Sequence, residues 1–114
     1  MQSPAVAAGE PFPDTESAWI WCALSQTARS DGALMRAGLA AVDRPCEPID
    51  IIKSVDRLYR NRRLMSEHLE VLVRYGQRSS PPDRTWRAEA ADARLWTEAI
   101  DRLEPVLRRK GIVA

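Results

Sequence analysis

Apolar residues that recur every three or four positions near the C-terminus constrain the fold more than any other feature of the sequence. They are Trp86, Ala90, Ala93, Trp96, Ile100, Leu103 and Leu107. Residues at this spacing share one face of an α-helix, so the pattern predicts a long helix that buries Trp86 and Trp96 in the core. Because proline lacks an amide donor and clashes with the carbonyl four residues earlier, this helix is predicted to kink or break near Pro105.

Four other segments also have helix-forming patterns. The predicted helices cover residues 15–30, 33–42, 48–60 and 66–75. Ser66 is predicted to cap the last of these, and Gly76 to end it by adopting a left-handed conformation. The helix at 15–30 carries Trp19 and Trp21, which point about 200° apart, so only one of them can face a single core.

No segment alternates apolar and polar residues for long enough to indicate a strand, and no internal repeat is visible. The sequence therefore predicts an all-α fold, a single compact domain of four to six helices that are mostly antiparallel because the loops between them are short. At 114 residues the chain is long enough for one hydrophobic core. Residues 1–13 are predicted to form a flexible N-terminal arm, and residues 14–114 the helical domain.

The sequence has no segment typical of a membrane-spanning or secreted protein. No stretch approaches the roughly 18 apolar residues of a membrane-spanning helix, and the first residues lack the basic and apolar regions of a secretory signal. We therefore expect a cytoplasmic protein that does not act at a membrane. Cys22 and Cys46 could form one disulfide, but a domain of this size in a reducing compartment does not need one, and both are predicted to be small buried apolar side chains.

Residues 53–87, called here the basic segment, concentrate positive charge. They contain nine Lys or Arg and four Asp or Glu, a net charge of +5, whereas residues 1–52 have a net charge of −4. The whole chain carries +1, with 15 Arg and 2 Lys. Arginine suits phosphate recognition because its planar guanidinium binds bidentately, although a GC-rich genome would also favour Arg and Ala codons.

The basic segment gives the main hypothesis about function, which is nucleic-acid binding. The residues predicted to contact nucleic acid are Arg57, Arg60, Arg62, Arg63, Arg74, Arg78, Arg84 and Arg87. Arginines at turns and helix ends can reach phosphates while the helices hold the chain in register. We therefore expect a small regulatory protein that binds nucleic acid, alone or beside a transcription complex. Two alternatives are a solvated face that pairs with the acidic N-terminal third, and a surface for an acidic protein partner.

One segment of this region also has a resemblance to a known family. Residues 63–76 read RLMSEHLEVLVRYG, which resembles the opening helix of the sigma-factor region-four type of helix-turn-helix, also found in phage antiterminators. The resemblance implies a DNA-binding role in transcription. In that family a turn and a recognition helix follow, whereas residues 79–82 here are Ser-Ser-Pro-Pro, so no recognition residues are transferred. Glu67 and Glu70 on the outer face would repel phosphates, which places this helix beside DNA rather than in its groove.

Patterns typical of catalysis or metal binding are scarce. His68 is the only histidine and is predicted to be exposed or to cap its helix. Neither cysteine has neighbours that would activate it. No Cys-x-x-Cys, His-x-x-x-His or glycine-rich phosphate loop occurs. We therefore expect no enzymatic activity, no metal, no cofactor and no small-molecule substrate.

A helical protein-interaction module or adaptor is the second hypothesis. Trp19 and Trp21 lie within an apolar run of the first helix and are the residues predicted to contact a partner. The opposite charges of the two halves of the chain could also make a self-complementary surface, which is consistent with a homodimer.

Overall fold

Four α-helices and one 3-10 turn make up the helical part of the chain that the structure describes. The structure is a computed structural model that describes residues 9–31 and 43–114. The helices are α1 (Thr15–Asp31), α2 (Pro48–Arg60), α3 (Ser66–Arg78) and α4 (Ala90–Arg109), and the 3-10 turn Arg87–Glu89 leads into α4. Within those residues the only β-type pairing is an isolated bridge between Phe12 and Val113. The predicted all-α fold is confirmed, and the helix predicted at 33–42 lies outside the described residues.

Helices α1 and α4 hold the bundle together. α1 packs against the other three helices, and α4 also packs against α2 and α3, whereas α2 and α3 barely touch each other. The largest fully buried apolar side chains include Phe12, Ile51, Leu64, Leu72, Leu103 and Leu107. Three side-chain pairs along α3 and α4 show that these two helices are antiparallel. The pairs are His68–Glu98, Arg74–Asp92 and Arg78–Glu89.

Local hydrogen bonds set the beginnings of α2 and α3. The Asp50 carboxylate accepts the Glu47 amide at 2.8 Å, one turn into α2. At α3 the imidazole of His68 accepts the Met65 amide at 3.0 Å, so Met65 rather than Ser66 is the N-cap. Both bonds satisfy amide groups for which the helix itself provides no acceptor.

Gly76 lies within α3 rather than at its end. A Cβ atom at this position would lie 2.8 Å from the Cβ of Ala23 and 3.1 Å from Nε1 of Trp19, both in α1. The same Trp19 Nε1 donates a hydrogen bond to the carbonyl of Leu72 at 2.9 Å. Gly76 therefore allows the backbones of α1 and α3 to come close together. The helix continues past Gly76 to Arg78, and Ser79 after it adopts the left-handed conformation, with a φ of 64°.

The last helix differs from the sequence prediction in two respects. Trp86 is 57% exposed rather than buried, because the 3-10 turn separates it from the start of α4. The predicted break at Pro105 is absent, since α4 runs through it to Arg109. Pro105 and Asp101, whose carbonyl would otherwise accept the missing amide, are both exposed, so solvent can satisfy that carbonyl.

Residues near the two ends of the chain pack together. Phe12 donates its amide to the carbonyl of Ile112, and its own carbonyl accepts the amide of Ala114, both at 2.9 Å. The buried Phe12 ring lies 5.1 Å from that of Trp21, and the Arg44 guanidinium lies 4.1 Å above it. The last part of the segment predicted as a flexible arm is therefore held against the helices, while residues 1–8 lie outside the described residues.

We expect Gly76→Ala to destabilise the protein, although alanine favours helix more than glycine does. The new methyl group would lie 2.8 Å from the Cβ of Ala23. Overpacking of this kind costs about 1–3 kcal/mol, against a gain of up to roughly 1 kcal/mol in helix propensity, so the net loss in the free energy of unfolding should be about 1–2 kcal/mol. Urea unfolding followed by circular dichroism measures this loss.

Ala23→Gly provides the matched test of this contact, because it removes the opposing methyl group. If the clash causes the loss, Ala23→Gly should rescue part of the stability of Gly76→Ala, with a coupling of at least about 0.5 kcal/mol in the double-mutant cycle. Strictly additive effects of the two substitutions would contradict a close approach of α1 and α3 at this point.

Candidate nucleic-acid interface

Five positively charged side chains face one groove between the C-terminal parts of α2 and α4. The groove has a volume of about 380 Å³. Its cations are Arg57, Arg63, Arg102, Arg109 and Lys110. Among the described residues, no Asp or Glu lines it. We call this surface the cationic groove.

The turn after α2 places Arg63 at the groove. Arg62 adopts a left-handed conformation with φ of 62°, and the Arg63 amide donates to the carbonyl of Leu58 at 2.8 Å. Arg102 of α4 donates from Nη1 to the carbonyl of Arg63 at 3.2 Å. This hydrogen bond connects the turn to α4, and Arg57 in the last turn of α2 lies beside it.

A buried histidine lies next to the groove. His68 is 4% exposed, and its Nδ1 accepts the Met65 amide, so a neutral His68 carries its proton on Nε2. Nε2 lies 2.9 Å from Oε1 of Glu98 and 3.4 Å from Nη1 of Arg102. The hydrogen bond with His68 lowers the pKa of Glu98, and the charges of Arg102 and Arg94 add to this effect. The hydrogen bond from Nε2 ties the start of α3 to Glu98 of α4, one turn before Arg102, which lines the groove.

The five cations of the groove form no direct ion pairs with carboxylates of the described residues. A helix C-terminus favours a nearby cation by about 0.3–1 kcal/mol, and the ends of α2 and α4 both lie at this groove. The helix dipole therefore explains why some of these cations occur at helix ends. Five of them together give the groove a positive potential that attracts an anion with several charges.

Three of the arginines predicted to contact nucleic acid are bound to carboxylates. The pairs are Arg60–Asp56 at 2.9 Å, Arg74–Asp92 at 3.0 Å and Arg78–Glu89 at 2.6 Å. Arg78 is the most constrained, because it also donates to the Pro81 carbonyl at 2.8 Å and its guanidinium lies 4.5 Å from the ring centre of Tyr75. Its hydrogen bond is the main cause of the lowered pKa of Glu89. Arg78 is therefore occupied within the fold.

Three more of the predicted arginines lie away from the cationic groove. Arg62 borders a separate recess beside Glu67. Arg84 and Arg87 precede α4, whose 20 residues span about 30 Å, so they lie far from its C-terminal end. Of the eight predicted residues, only Arg57 and Arg63 line the cationic groove.

Sequence reasoning missed three residues of the groove, namely Arg102, Arg109 and Lys110. Arg102 and Arg109 are seven positions apart in α4 and therefore share one helix face. This spacing is the one signal in the sequence, and the helix dipole explains the C-terminal cations equally well. Which face of α4 meets the end of α2 depends on tertiary packing.

The two tryptophans predicted to contact a partner have different environments. Trp19 is 7% exposed and lies in the core, with its indole nitrogen bonded to the carbonyl of Leu72. Trp21 is half-buried and packs against Phe12. Of the two, Trp21 is the one that retains substantial surface for a partner.

A second groove lies between α2 and α3 and has α1 as its floor. It has a volume of about 400 Å³, and its apolar lining includes Ile52, Val55, Tyr59, Leu69 and Val73. Tyr59 and Val73 are exposed. The groove exists because α2 and α3 each pack on α1 without closing on each other. We call it the apolar groove.

Comparisons with protein-family models, curated proteins and solved structures gave no match to this chain. Among the described residues, no helix is both long and apolar enough to cross a bilayer. In the same residues, no group of three or more His, Cys, Asp or Glu is placed to hold a metal ion. The geometry of the two grooves is therefore the basis for a functional proposal.

We expect Glu89→Gln to lower thermal stability at neutral pH and to have little effect in acid. Glu89 is 7% exposed and accepts hydrogen bonds from Arg78 and from the Asp83 amide at 2.7 Å. These bonds lower its pKa from the ordinary value of about 4.3. The carboxylate therefore stabilises the folded state above about pH 4, and this contribution is lost as the pH falls through the lowered pKa. Thermal melts at a series of pH values measure the difference from wild type.

Glu104→Gln is the matched control, because Glu104 also pairs with an arginine but both side chains are partly exposed. Exposed pairs contribute roughly 0–1 kcal/mol, so this variant should melt close to wild type at every pH. If Glu89→Gln and Glu104→Gln lower the melting temperature equally, the buried position of Glu89 does not make its ion pair more stabilising than an exposed one.

Proposed function

We propose that the protein binds nucleic acid by holding the sugar–phosphate backbone in the cationic groove. The observation that carries this proposal is the convergence of five Lys or Arg side chains on one groove whose described lining has no carboxylate. Four of the five are arginines, and a guanidinium can bind a phosphate through two parallel hydrogen bonds. A regulatory role in the cytoplasm, alone or beside a transcription complex, is the setting that we propose for this binding.

The construction of the groove supports the proposal. Arg57 and Arg109 project from helices, and the hydrogen bond from Arg102 to the carbonyl of Arg63 joins the turn to α4. A site built on rigid elements loses less conformational freedom when a ligand binds. Binding through phosphates releases counterions, so the affinity should be largely independent of sequence and should fall steeply with salt.

The proposal assigns phosphate contact rather than base recognition to this surface. Helix α3 contains the segment that resembles the sigma-type helix-turn-helix, but it exposes Glu67 and Glu70, which repel phosphates. We therefore do not propose that α3 enters the major groove. The cations of the cationic groove lie instead at helix ends and in a turn, from which side chains can reach the backbone of a nucleic acid.

A helical interaction module is the second candidate, and the apolar groove favours it. Tyr59 is 44% exposed at its edge, and Val73 is exposed opposite. An open, apolar groove between two helices suits the apolar face of an amphipathic helix from a partner. Exposed aromatic residues such as Tyr59 frequently anchor protein interfaces.

We expect the double variant Arg57→Ala/Arg109→Ala to bind duplex DNA more weakly and with a shallower dependence on salt. Each phosphate contact that is lost should reduce the slope of log K against log salt by about 1, so the double variant should lose about 2. Fluorescence anisotropy of a labelled random duplex, titrated at several salt concentrations, measures both the affinity and the slope.

Arg94→Ala/Arg108→Ala is the matched control, because both residues are exposed cations of α4 that do not line the groove. It changes the net charge equally and should keep the wild-type slope. Equal losses for the two double variants would point to diffuse charge rather than to the groove. If the wild-type protein binds neither duplex nor single-stranded DNA even at low salt, the nucleic-acid proposal fails and the interaction module takes its place.

A further inference from the structure

Trp86 is the most exposed of the large apolar side chains that the structure describes, and it lines neither groove. Its exposure is 57%, and it lies in the loop of residues 79–89 between α3 and α4. Tryptophan has more apolar surface than any other side chain, so leaving it in water is unfavourable. Its position suits a residue that becomes covered when a ligand binds.

Hydrogen bonds fix the loop that presents Trp86. The buried carboxylate of Glu89 accepts from Arg78 at 2.6 Å and from the Asp83 amide at 2.7 Å. The Trp86 amide donates to the carbonyl of Asp83 at 3.2 Å, and the Trp86 carbonyl accepts the Glu89 amide at 2.8 Å. The backbone is therefore held on both sides of Trp86, and a ligand would not have to order it.

Beside Trp86 the loop carries two cations and one exposed carboxylate, that of Asp83. The Asp83 carboxylate accepts hydrogen bonds from the amide and the hydroxyl of Thr85 at 2.8 and 2.6 Å, and the other acidic side chain of the loop is buried. Arg84 and Arg87 are exposed and form no ion pair within the described residues. In the sequence, the exposed Trp86 thus lies between two exposed arginines of the same loop.

We propose that Trp86 stacks on an unpaired base of a single-stranded nucleic acid, while Arg84 and Arg87 contact the phosphates on either side. This inference rests on the proposed nucleic-acid function and narrows it to strands with accessible bases. Every base has a π-face, so stacking on an exposed ring is tolerant of sequence. In a duplex the bases stack on each other, and a loop tryptophan would reach them only by separating a base step.

The Trp86 loop and the cationic groove lie at opposite ends of α4. Measured along the helix from Ala90, the groove residues Arg102 and Arg109 lie about 18 and 29 Å away. A substitution in one surface therefore leaves the other intact, and the two proposals can be tested separately.

Fluorescence anisotropy with a labelled single strand and a duplex of the same sequence, each about 20 nucleotides long, tests the proposal at low salt. Trp86→Ala should weaken binding of the single strand by about 5- to 150-fold, which is the range for loss of one stacked base, and should leave duplex binding unchanged. Trp86→Phe keeps a π-face and should retain most of the affinity. Ile49→Ala removes an exposed apolar side chain that lies outside the loop and lines neither groove, and it should bind like wild type.

Three results would overturn the stacking role. If Trp86→Ala binds the single strand like wild type while Arg57→Ala/Arg109→Ala has lost affinity, the proposed function stands and the role of Trp86 does not. Equal weakening for single strand and duplex would show that Trp86 does not contact an unpaired base. If the wild-type protein binds neither nucleic acid, both proposals fail, and a change in self-association of Trp86→Ala by light scattering would then assign the ring to a protein contact.

Discussion

The close crossing of α1 and α3 at Gly76 is the contact on which the rest of the structure depends. It lets the indole of Trp19 reach the carbonyl of Leu72, and it fixes the position of α3 on the side of the bundle that also receives α4. The pairs between α3 and α4 then set the register of the last helix. A wider crossing would displace both segments that flank α3, which are the turn carrying Arg63 and the loop presenting Trp86.

Some arginines of the basic segment form ion pairs within the fold, and others form none among the described residues. Along α3, Arg74 and Arg78 meet carboxylates from the beginning of α4 and are largely neutralised. At the other end of α4, Arg57 and Arg63 line the cationic groove with Arg102 and Arg109, and no carboxylate among the described residues lines it. Counting charges along the sequence therefore identifies a basic segment. Which of its arginines remain unpaired depends on the carboxylates of the helix that packs against it.

Periodicity predicted α1 and α2 closely, because their apolar residues repeat at helical spacing and their ends carry proline or turn residues. Gly76 misled the prediction, since a glycine that ends a helix and a glycine at a helix crossing look alike in sequence. Trp86 continues the spacing of α4, but the 3-10 turn changes the angular step before the helix begins. The cationic groove could not be predicted, because Arg63 and Arg102 meet across 39 positions of sequence and only tertiary packing brings them together.

The bond between the two ends of the described fold also implies an order of assembly. The bridge between Phe12 and Val113 closes a loop of roughly 100 residues, and the entropic cost of closure grows with loop length. The pairs between α3 and α4 join nearer positions, so the helical pair should form earlier and the terminal bridge late. The pairing of Phe12 with Val113 should therefore form after the helices have packed against each other.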